Sequence, residues 1–363
     1  MAKNESLFYK TKEEHLIIKY RELCNILPPY AKNFLQSKEL ITKYSTLVAY
    51  AYDLITFFEF LKRVNPSVKN LSIKEIPAEL LDQLTEDDIL EYQRYLRLSV
   101  NETESKANKI QNDNKAIARK MTPVRGLFDS LVRKQYIKSN VAKMVPMPKI
   151  KEPKIIKRLD NDSDNNEIVK LLSGIDDLKS LSITEKQRKF LEKTWYRDKA
   201  ILNLFLGTGI RVSECQGLDI SDIEFDMRYL NIKRKGGFYD RVYFNETVKQ
   251  HLVEYLEHEH DHYLSDDTLP EDKNALFLSN KGKRMSVDAL EHLVEKYTLM
   301  ILGKSFSPHK LRATYGTVLY QKTGDIRLTA DVLGHTSVTT TSKHYAAQTE
   351  QNKRKAGDLD FTS

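Results

Sequence analysis

A proline- and lysine-rich segment near the middle of the chain limits what the sequence can fold into. Three prolines, Pro146, Pro148 and Pro153, alternate with basic residues between positions 146 and 160. Proline has no N–H to donate and breaks a helix, and a segment so poor in apolar residues buries little surface. We therefore predict an extended, basic interdomain linker at 146–160. The length of 363 residues agrees with one domain on each side of this linker.

The first domain, residues 1–145, is predicted to consist of helices. Apolar residues within 42–63 recur with helical spacing and would form one buried face. These residues are Leu47, Ala51, Leu54, Phe58 and Leu61. Thr85 and Asp88 resemble a capping box that opens a helix ending near Leu98. This domain contains no candidate catalytic group. We expect its function to be the binding of a polyanion.

Basic residues are concentrated at the end of the first domain. We predict a long helix over about 106–136, in which Pro123 would produce a kink. Residues 105–158 contain fifteen Lys and Arg against three Asp and Glu, a local balance of +12. Because the whole chain carries +7, the remainder sums to −5. Such a concentration is typical of a nucleic-acid-binding surface, although a solvated helix face followed by a basic linker would give the same count.

Composition predicts a cytoplasmic protein without a membrane partner. No apolar run reaches about 18 residues, and the N-terminal sequence has no apolar signal region. Cys24 and Cys215 are far apart and lack metal-site spacing, which argues against structural zinc. The alternating His258, His260 and His262 are interpreted as a solvated, charged helix end, because residues two apart on a helix diverge.

The second domain, residues 161–349, is predicted to combine helices with short strands. A helix over 185–206 would end at Gly207. The next turn would place Arg211 at the start of another helix, where free N–H groups favour an anion. An ion pair with Glu214 is the alternative interpretation of Arg211.

A change of period from helical to alternating predicts a β-hairpin after this helix. Residues 229–233 and 239–243 alternate around Lys235-Gly236-Gly237, so Lys235 would lie at the hairpin tip. A solvated surface lysine is the alternative interpretation of Lys235. Helices are predicted at 246–263 and 286–302, with a short strand at 275–278 between them.

The segment that follows contains groups suited to a phosphate and a nucleophile. Ser307 would cap a helix that begins at Pro308, and His309 and Arg312 would share one face of it. The opposite, buried face would contain Leu311, Tyr315 and Val318, while Gly316 would keep the functional face clear. Leu333, Gly334 and His335 follow, and then Tyr345.

Five sequence contexts, in this order, resemble the tyrosine recombinase (phage integrase) family. They are Thr-Gly-Ile-Arg-Val-Ser-Glu at 208–214, Lys235 in a hairpin, His-Lys-Leu-Arg at 309–312, Leu-Gly-His at 333–335, and the downstream Tyr345. The resemblance spans about 160–345. Leu-Pro-Pro-Tyr at 27–30 and Ser-Lys at 37–38 also resemble the Xer subgroup, in particular the XerS-like single recombinases.

The resemblance implies a fold and an assembly. The fold is mainly α with a small antiparallel β-sheet: an all-α, SAM-like core-binding domain and an α+β catalytic domain form a C-shaped clamp around DNA. The partner would be a double-stranded recombination site. A monomer or dimer would assemble into a homotetramer on two duplexes, and the tail 350–363, with Leu359 and Phe361, would dock on a neighbouring protomer or remain frayed.

The resemblance also implies a catalytic set. Arg211 and Arg312 would bind the nonbridging oxygens of the phosphate, and His335 would donate a hydrogen bond to it. Because these side chains meet the phosphate charge, the family needs neither a metal nor another cofactor, and no ATP.

The reaction of these catalytic residues would begin with Tyr345. Its hydroxyl would attack the phosphate to give a 3′-phosphotyrosyl link and a free 5′-hydroxyl. Lys235 would protonate the leaving 5′-oxygen, and His309 would act as the base or proton carrier for the tyrosine.

The expected function is site-specific recombination through a Holliday junction, in an Xer-type role in chromosome dimer resolution. Integration or excision of a mobile element would use the same residues. A type IB topoisomerase and an inactive DNA-binding relative are further alternatives.

Two departures from the family pattern lie near the site. The usual spacing from the last histidine to the nucleophile is nine residues, whereas His335 and Tyr345 are ten apart, and the extra residue could loop out at 339–341. Arg312-Ala313-Thr314 also replaces the commoner Arg-His-Ser/Thr.

Overall fold

The computed structural model describes residues 6–98, 112–150, 158–160, 166–177 and 183–335. The chain divides into two compact units, Lys10–Glu152 and a second that combines Met1–Tyr9 with Pro153–Ser363. The described residues are mainly helical with a small antiparallel sheet, so the predicted fold class is confirmed. None of the described helices has both the length and the apolar character needed to cross a membrane.

The unit Lys10–Glu152 is built from helices. They are α1 (Leu7–Ile26), α2 (Pro29–Gln36), α3 (Tyr44–Val64), α4 (Ala78–Asp82), α5 (Glu86–Leu98), α6 (Asn114–Arg133) and α7 (Val141–Met144), with 3₁₀ turns at Pro66–Val68 and Ile73–Glu75. The predicted face of α3 is confirmed, since all five of its predicted core residues are at most 1% exposed. Phe57, which the spacing did not select, contacts Tyr92 of α5 with ring centroids 5.0 Å apart and Phe128 of α6 at 6.1 Å.

Local capping signals fix where two helices of this unit begin. The Asp88 carboxylate accepts the Thr85 N–H at 2.7 Å, which confirms the predicted capping box before α5. α6 begins at Asn114, later than predicted, because the Asp113 side chain accepts the Ala116 N–H at 2.7 Å and caps the helix there. Residues 99–111, where the predicted basic helix would begin, lie outside the described part of the chain.

The second unit contains the remaining elements. They are α8 (Glu167–Asp176), α9 (Glu185–Glu192), α10 (Trp195–Thr208), α11 (Val212–Gln216), β1 (Ile223–Glu224), β2 (Tyr229–Lys233), β3 (Tyr239–Tyr243), α12 (Glu246–His258), α13 (Val287–Leu302), α14 (Pro308–Thr323) and α15 (Ile326–Val332), with 3₁₀ turns at Ile220–Asp222 and His260–Tyr263. The strands form one antiparallel sheet in the order β1-β2-β3.

The predicted hairpin is confirmed by the pairing of β2 with β3. Its register joins Tyr229 to Tyr243 and Lys233 to Tyr239. Leu230, Ile232 and Val242 point into the core, so the sheet buries its aliphatic side.

The single helix predicted over 185–206 is wrong, because two helices occupy this region. α9 ends at Glu192 and α10 begins at Trp195. The Glu259 carboxylate accepts the N–H groups of Tyr196 and Arg197 at 2.9 and 3.0 Å, and so caps α10 from a distant part of the chain.

The predicted terminal glycine is also wrong. The left-handed residue after α10 is Gly209, with φ of 62°, whereas Gly207 lies inside the helix. A Cβ at position 207 would lie 2.5 Å from Val248 Cγ2, so Gly207 permits close packing of α10 on α12.

Two further expectations in this unit are corrected. Residues 275–278 form only isolated bridges, from Ala275 to Asp219 and from Leu278 to Arg284, and no strand. His260 is 2% exposed, with Nε2 3.0 Å from the Ala275 carbonyl oxygen, so it is a core residue and not part of a solvated helix end. In the described ranges, no group of three His, Cys, Asp or Glu side chains could hold a metal ion.

Candidate active site

Arg211 lies at the turn between α10 and α11, where the sequence predicts it. The left-handed Gly209 ends α10, and Arg211 is the N-cap residue of α11. Its guanidinium donates to Glu214 Oε1 at 2.7 Å and to the Gly334 carbonyl oxygen at 2.9 Å. The ion pair with Glu214, considered as the alternative interpretation, is therefore present, and the same side chain also reaches the Leu-Gly-His segment.

Arg312 lies on α14, which begins at Pro308 after the N-cap residue Ser307, as predicted. The guanidinium is buried and donates to the Gly209 carbonyl oxygen at 2.6 Å and to that of Leu333. His309, one turn earlier, is exposed. The helix therefore presents an imidazole to solvent and a guanidinium to the protein interior.

The predicted division of α14 into one buried and one open face is wrong. Leu311 is buried, but Tyr315 and Val318 are only half-buried, and Gly316 lies among the buried residues. Two threonines of this helix hold the chain at 158–160: the Thr314 hydroxyl accepts the Leu159 N–H at 3.0 Å, and the Arg158 guanidinium donates to the Thr317 hydroxyl at 2.8 Å. α14 is therefore enclosed on most sides.

Lys235 lies in the turn of the β2–β3 hairpin, and its side chain is exposed. The turn is closed by the Arg234 N–H, which donates to the Phe238 carbonyl oxygen at 2.9 Å, and by the Gly237 N–H, which donates to that of Arg234 at 3.0 Å. Gly236 and Gly237 have φ of 123° and 97°, which other residues rarely adopt. The glycine pair therefore allows the tight tip on which the lysine is carried.

His335 directly follows the turn that ends α15. Gly334 has φ of 57°, and the His335 N–H donates to the Ala330 carbonyl oxygen at 2.9 Å. This bond is the 6→1 bond of a Schellman motif. The histidine is half-buried, and its position is fixed by the helix end.

Four of the predicted site residues lie in the second unit and are held in two places, the C-terminal end of α15 and the β2–β3 hairpin. Arg211 and Arg312 converge on the backbone that leads to His335, and Lys235 is held by its hairpin. His309 lies on the exposed side of α14. Tyr345, the run 339–341 and the tail 350–363 lie outside the described residues.

Sequence analysis missed one buried arginine of this centre, Arg234. Its side chain is 2% exposed and contacts Asp240 Oδ2 at 2.9 Å, Glu214 Oε2 at 3.4 Å and the Val332 carbonyl oxygen at 2.9 Å. The strand alternation contained the signal, since Leu230, Ile232 and Arg234 are spaced by two and therefore share the buried side. A charged residue at a core position requires buried partners.

Three guanidinium groups consequently meet three successive carbonyl oxygens at the C-terminal end of α15. Arg234 reaches Val332, Arg312 reaches Leu333, and Arg211 reaches Gly334. The carboxylates of Glu214 and Asp240 balance part of this positive charge. Such a cluster can bind an anion, because guanidinium groups form charge-assisted hydrogen bonds with phosphate oxygens.

Two other nucleophilic side chains near this cluster are held in their protonated forms. Burial, together with the charge of Glu214, raises the pKa of the Cys215 thiol. Burial likewise raises the pKa of the Tyr315 hydroxyl. Neither group is activated as an anion by its surroundings.

Comparison with known proteins identifies the family. The profile of the Phage integrase family matches residues 175–352. The chain is 31% identical to tyrosine recombinase XerC of Caldanaerobacter subterraneus over 86% of its own length and 82% of that protein. The chain belongs to the tyrosine recombinase family. The recombinase is also 30% identical to tyrosine recombinase XerS of Streptococcus agalactiae, over 96% of its own length and 100% of that protein.

Solved structures share the fold of this recombinase. A complex of the XerH site-specific recombinase with a palindromic difH substrate matches with a TM-score of 0.60 and 20% identity, over 87% of this chain and 80% of that one. The Tn1549 transposon integrase in complex with circular intermediate DNA matches with a TM-score of 0.60 and 20% identity, over 93% and 99%. Members of the family break and rejoin DNA strands, so this chain is an enzyme of that class.

Proposed function

We propose that this recombinase cuts and rejoins two copies of a specific DNA site through a covalent bond between Tyr345 and a 3′-phosphate. The observation that carries the proposal is the convergence of Arg211 and Arg312, which are far apart in sequence, on the adjacent carbonyl oxygens of Gly334 and Leu333. Two guanidinium groups so close together suit the two nonbridging oxygens of one phosphodiester.

The two arginines would act by stabilising charge. A phosphodiester repels nucleophiles, and its pentacoordinate transition state carries more negative charge than the ground state. Arg211, which is partly accessible, and Arg312, which is buried, would exchange carbonyl oxygens for phosphate oxygens.

Proton transfer would be divided between two exposed side chains. A tyrosine hydroxyl has an ordinary pKa of about 10, so the attacking group must lose a proton as the bond to phosphorus forms. His309 would accept or relay this proton, and Lys235 would donate a proton to the departing 5′-oxygen. His335 would donate a hydrogen bond to the phosphate from the end of α15.

The covalent intermediate would make the exchange reversible without ATP. The phosphotyrosyl bond retains the energy of the phosphodiester, so the 5′-hydroxyl of another cut strand can attack it and restore the DNA backbone. Exchange between two duplexes would use four protomers, with one pair active at a time, and would pass through a Holliday junction. The basic residues of the first unit would bind the DNA.

We further propose an Xer-type role in chromosome dimer resolution inside the cytoplasm. The alignment with XerS of Streptococcus agalactiae over the whole length of that protein supports this role over integration of a mobile element.

The proposal is tested with a nicked suicide substrate that contains the cognate site, found by screening DNA beside the gene. Cleavage releases a short downstream fragment with a free 5′-hydroxyl, so the covalent adduct accumulates and migrates slowly on a denaturing gel until protease is added. We expect an adduct with the unmodified protein and with Tyr243→Phe, which makes the same change at an exposed tyrosine. Tyr345→Phe should give none.

Assays of the same purified protein also distinguish the alternative functions. Lack of an adduct with the unmodified protein would indicate an inactive DNA-binding relative. Relaxation of supercoiled DNA that lacks the site would indicate a type IB topoisomerase, whereas we expect recombination between two sites only.

A further inference from the structure

We propose that Arg234 is a positioning residue for cleavage, which holds the Lys235 hairpin against the helix end that leads to His335. The inference rests on the proposed function, because it requires Lys235 to be the general acid. The inference concerns what fixes the position and orientation of Lys235.

The guanidinium of Arg234 is fully engaged with the protein. All three of its nitrogens donate to protein oxygens, Nε to Asp240, Nη1 to Glu214 and Nη2 to the Val332 carbonyl oxygen. The guanidinium also lies against Gly334, where a Cβ would be 2.8 Å from Cζ and Nε of Arg234. We therefore assign Arg234 to positioning and not to phosphate binding.

The contacts of Arg234 connect three elements that are separate in sequence. Nε donates to Asp240 at 2.9 Å across the hairpin, and the Nη atoms reach Glu214 on α11 at 3.4 Å and the Val332 carbonyl oxygen at the end of α15 at 2.9 Å. Its backbone closes the turn that carries Lys235. Rotation of the hairpin relative to α15 would therefore break several charge-assisted hydrogen bonds.

These contacts assign one task to Arg234 and another to the two arginines that would bind phosphate. Arg211 and Arg312 can give their carbonyl partners up to a phosphate, while Arg234 keeps its partners and fixes the distance between the hairpin and the helix end. Without Arg234 the hairpin tip would sample other positions, and proton donation by Lys235 would slow.

The test compares two leaving groups on the same suicide substrate. In the normal step the tyrosine oxygen bonds to phosphorus, the bond from phosphorus to the 5′-oxygen breaks, and that oxygen takes a proton from the Lys235 ammonium. If the 5′-oxygen is replaced by sulfur, the thiolate leaves without protonation. A variant impaired only in general-acid catalysis should therefore recover on the sulfur substrate.

We expect Arg234→Gln to cleave the oxygen substrate at least about tenfold more slowly, the effect of losing charged buried hydrogen bonds, and to approach the unmodified rate on the sulfur substrate. Lys235→Ala should show the same pattern with a larger loss, about 100-fold or more. Arg312→Gln should be slow on both substrates, because it would lose phosphate binding. Arg228→Gln is the matched control, an exposed arginine beside the same sheet that pairs with Glu246.

Asp240→Asn keeps the test informative if Arg234→Gln does not fold. It removes only the hairpin partner of Arg234, at a carboxylate that is 40% exposed, and should show a smaller loss with the same recovery. Equal impairment of the folded variants on both substrates, or an unmodified rate on the oxygen substrate, would overturn the role of Arg234. If the unmodified protein formed no adduct, the proposed function would fail and this role with it.

Discussion

Glu214 and Arg211 are joined by two hydrogen bonds, one to the backbone and one to the side chain. The Glu214 carboxylate accepts the Arg211 N–H at 2.8 Å and its guanidinium at 2.7 Å. The carboxylate is 2% exposed and also faces Arg234. Glu214 therefore fixes Arg211 while it balances part of the charge of the buried Arg234.

Loss of the Glu214 carboxylate should destabilise the second unit strongly. Glu214→Ala would leave Arg234 buried with less compensating charge, so we expect the free energy of unfolding to fall by about 3 kcal/mol. Urea denaturation measures this change. Glu246→Ala, which removes the partner of the exposed Arg228, should cost less than about 1 kcal/mol. Equal losses in the two variants would contradict a structural role of the buried pair.

Gly334 should be more sensitive to substitution than a glycine with the same backbone conformation. Gly334→Ala places a Cβ 2.8 Å from Arg234, whereas at Gly324 a Cβ would meet nothing within 4 Å. Both residues have positive φ, 57° and 67°, so each alanine should cost about 1 kcal/mol in thermal denaturation. Only Gly334→Ala should also slow adduct formation, because it displaces the guanidinium. Equal adduct rates would argue against this contact.

Two basic residues of α6 should behave differently in DNA binding. Arg125 donates to the backbone carbonyl oxygens of Ala142 and Val145, whereas Lys115 is exposed. In a titration of DNA affinity against salt, Lys115→Gln should lower the slope of log K against log salt concentration by about 1. Arg125→Gln should leave that slope unchanged and lower the melting temperature. The reverse pattern would show that the charge of Lys115 does not reach a phosphate.

Thr314, two residues after Arg312, should contribute to stability through its hydroxyl. Thr314→Val keeps the shape of the side chain but leaves the buried Leu159 N–H without an acceptor, which should cost about 1–3 kcal/mol in urea denaturation. Thr323→Val removes an exposed hydroxyl, which donates to the Leu319 carbonyl oxygen and accepts the exposed Asp325 N–H, and is the matched control. No difference between the two would mean that water replaces the lost partner.

Much of the local structure could be predicted because its signals lie close together in sequence. The capping box at Thr85 and Asp88, the start of α14 at Pro308 and the β2–β3 hairpin each depend on a few neighbouring residues. The positions of Arg211 and Lys235 followed from such local elements.

The missed features depend on distant partners. The break between α9 and α10 exists because Glu259, from another part of the chain, caps the second helix. Gly207 is explained by Val248, and the burial of His260 by Ala275. Arg234 could have been found from strand alternation, but its partners at the end of α15 are about a hundred residues away in sequence.

The identity of the nucleophile is tested most directly by mapping the covalent adduct. The adduct is digested with nuclease and trypsin, and the peptide that retains a nucleotide through its phosphate is identified by mass spectrometry. We predict the peptide 344–353, which contains Tyr345 as its single tyrosine. A nucleotide on another peptide, such as 313–322 with Tyr315 and Tyr320, would contradict the proposed site.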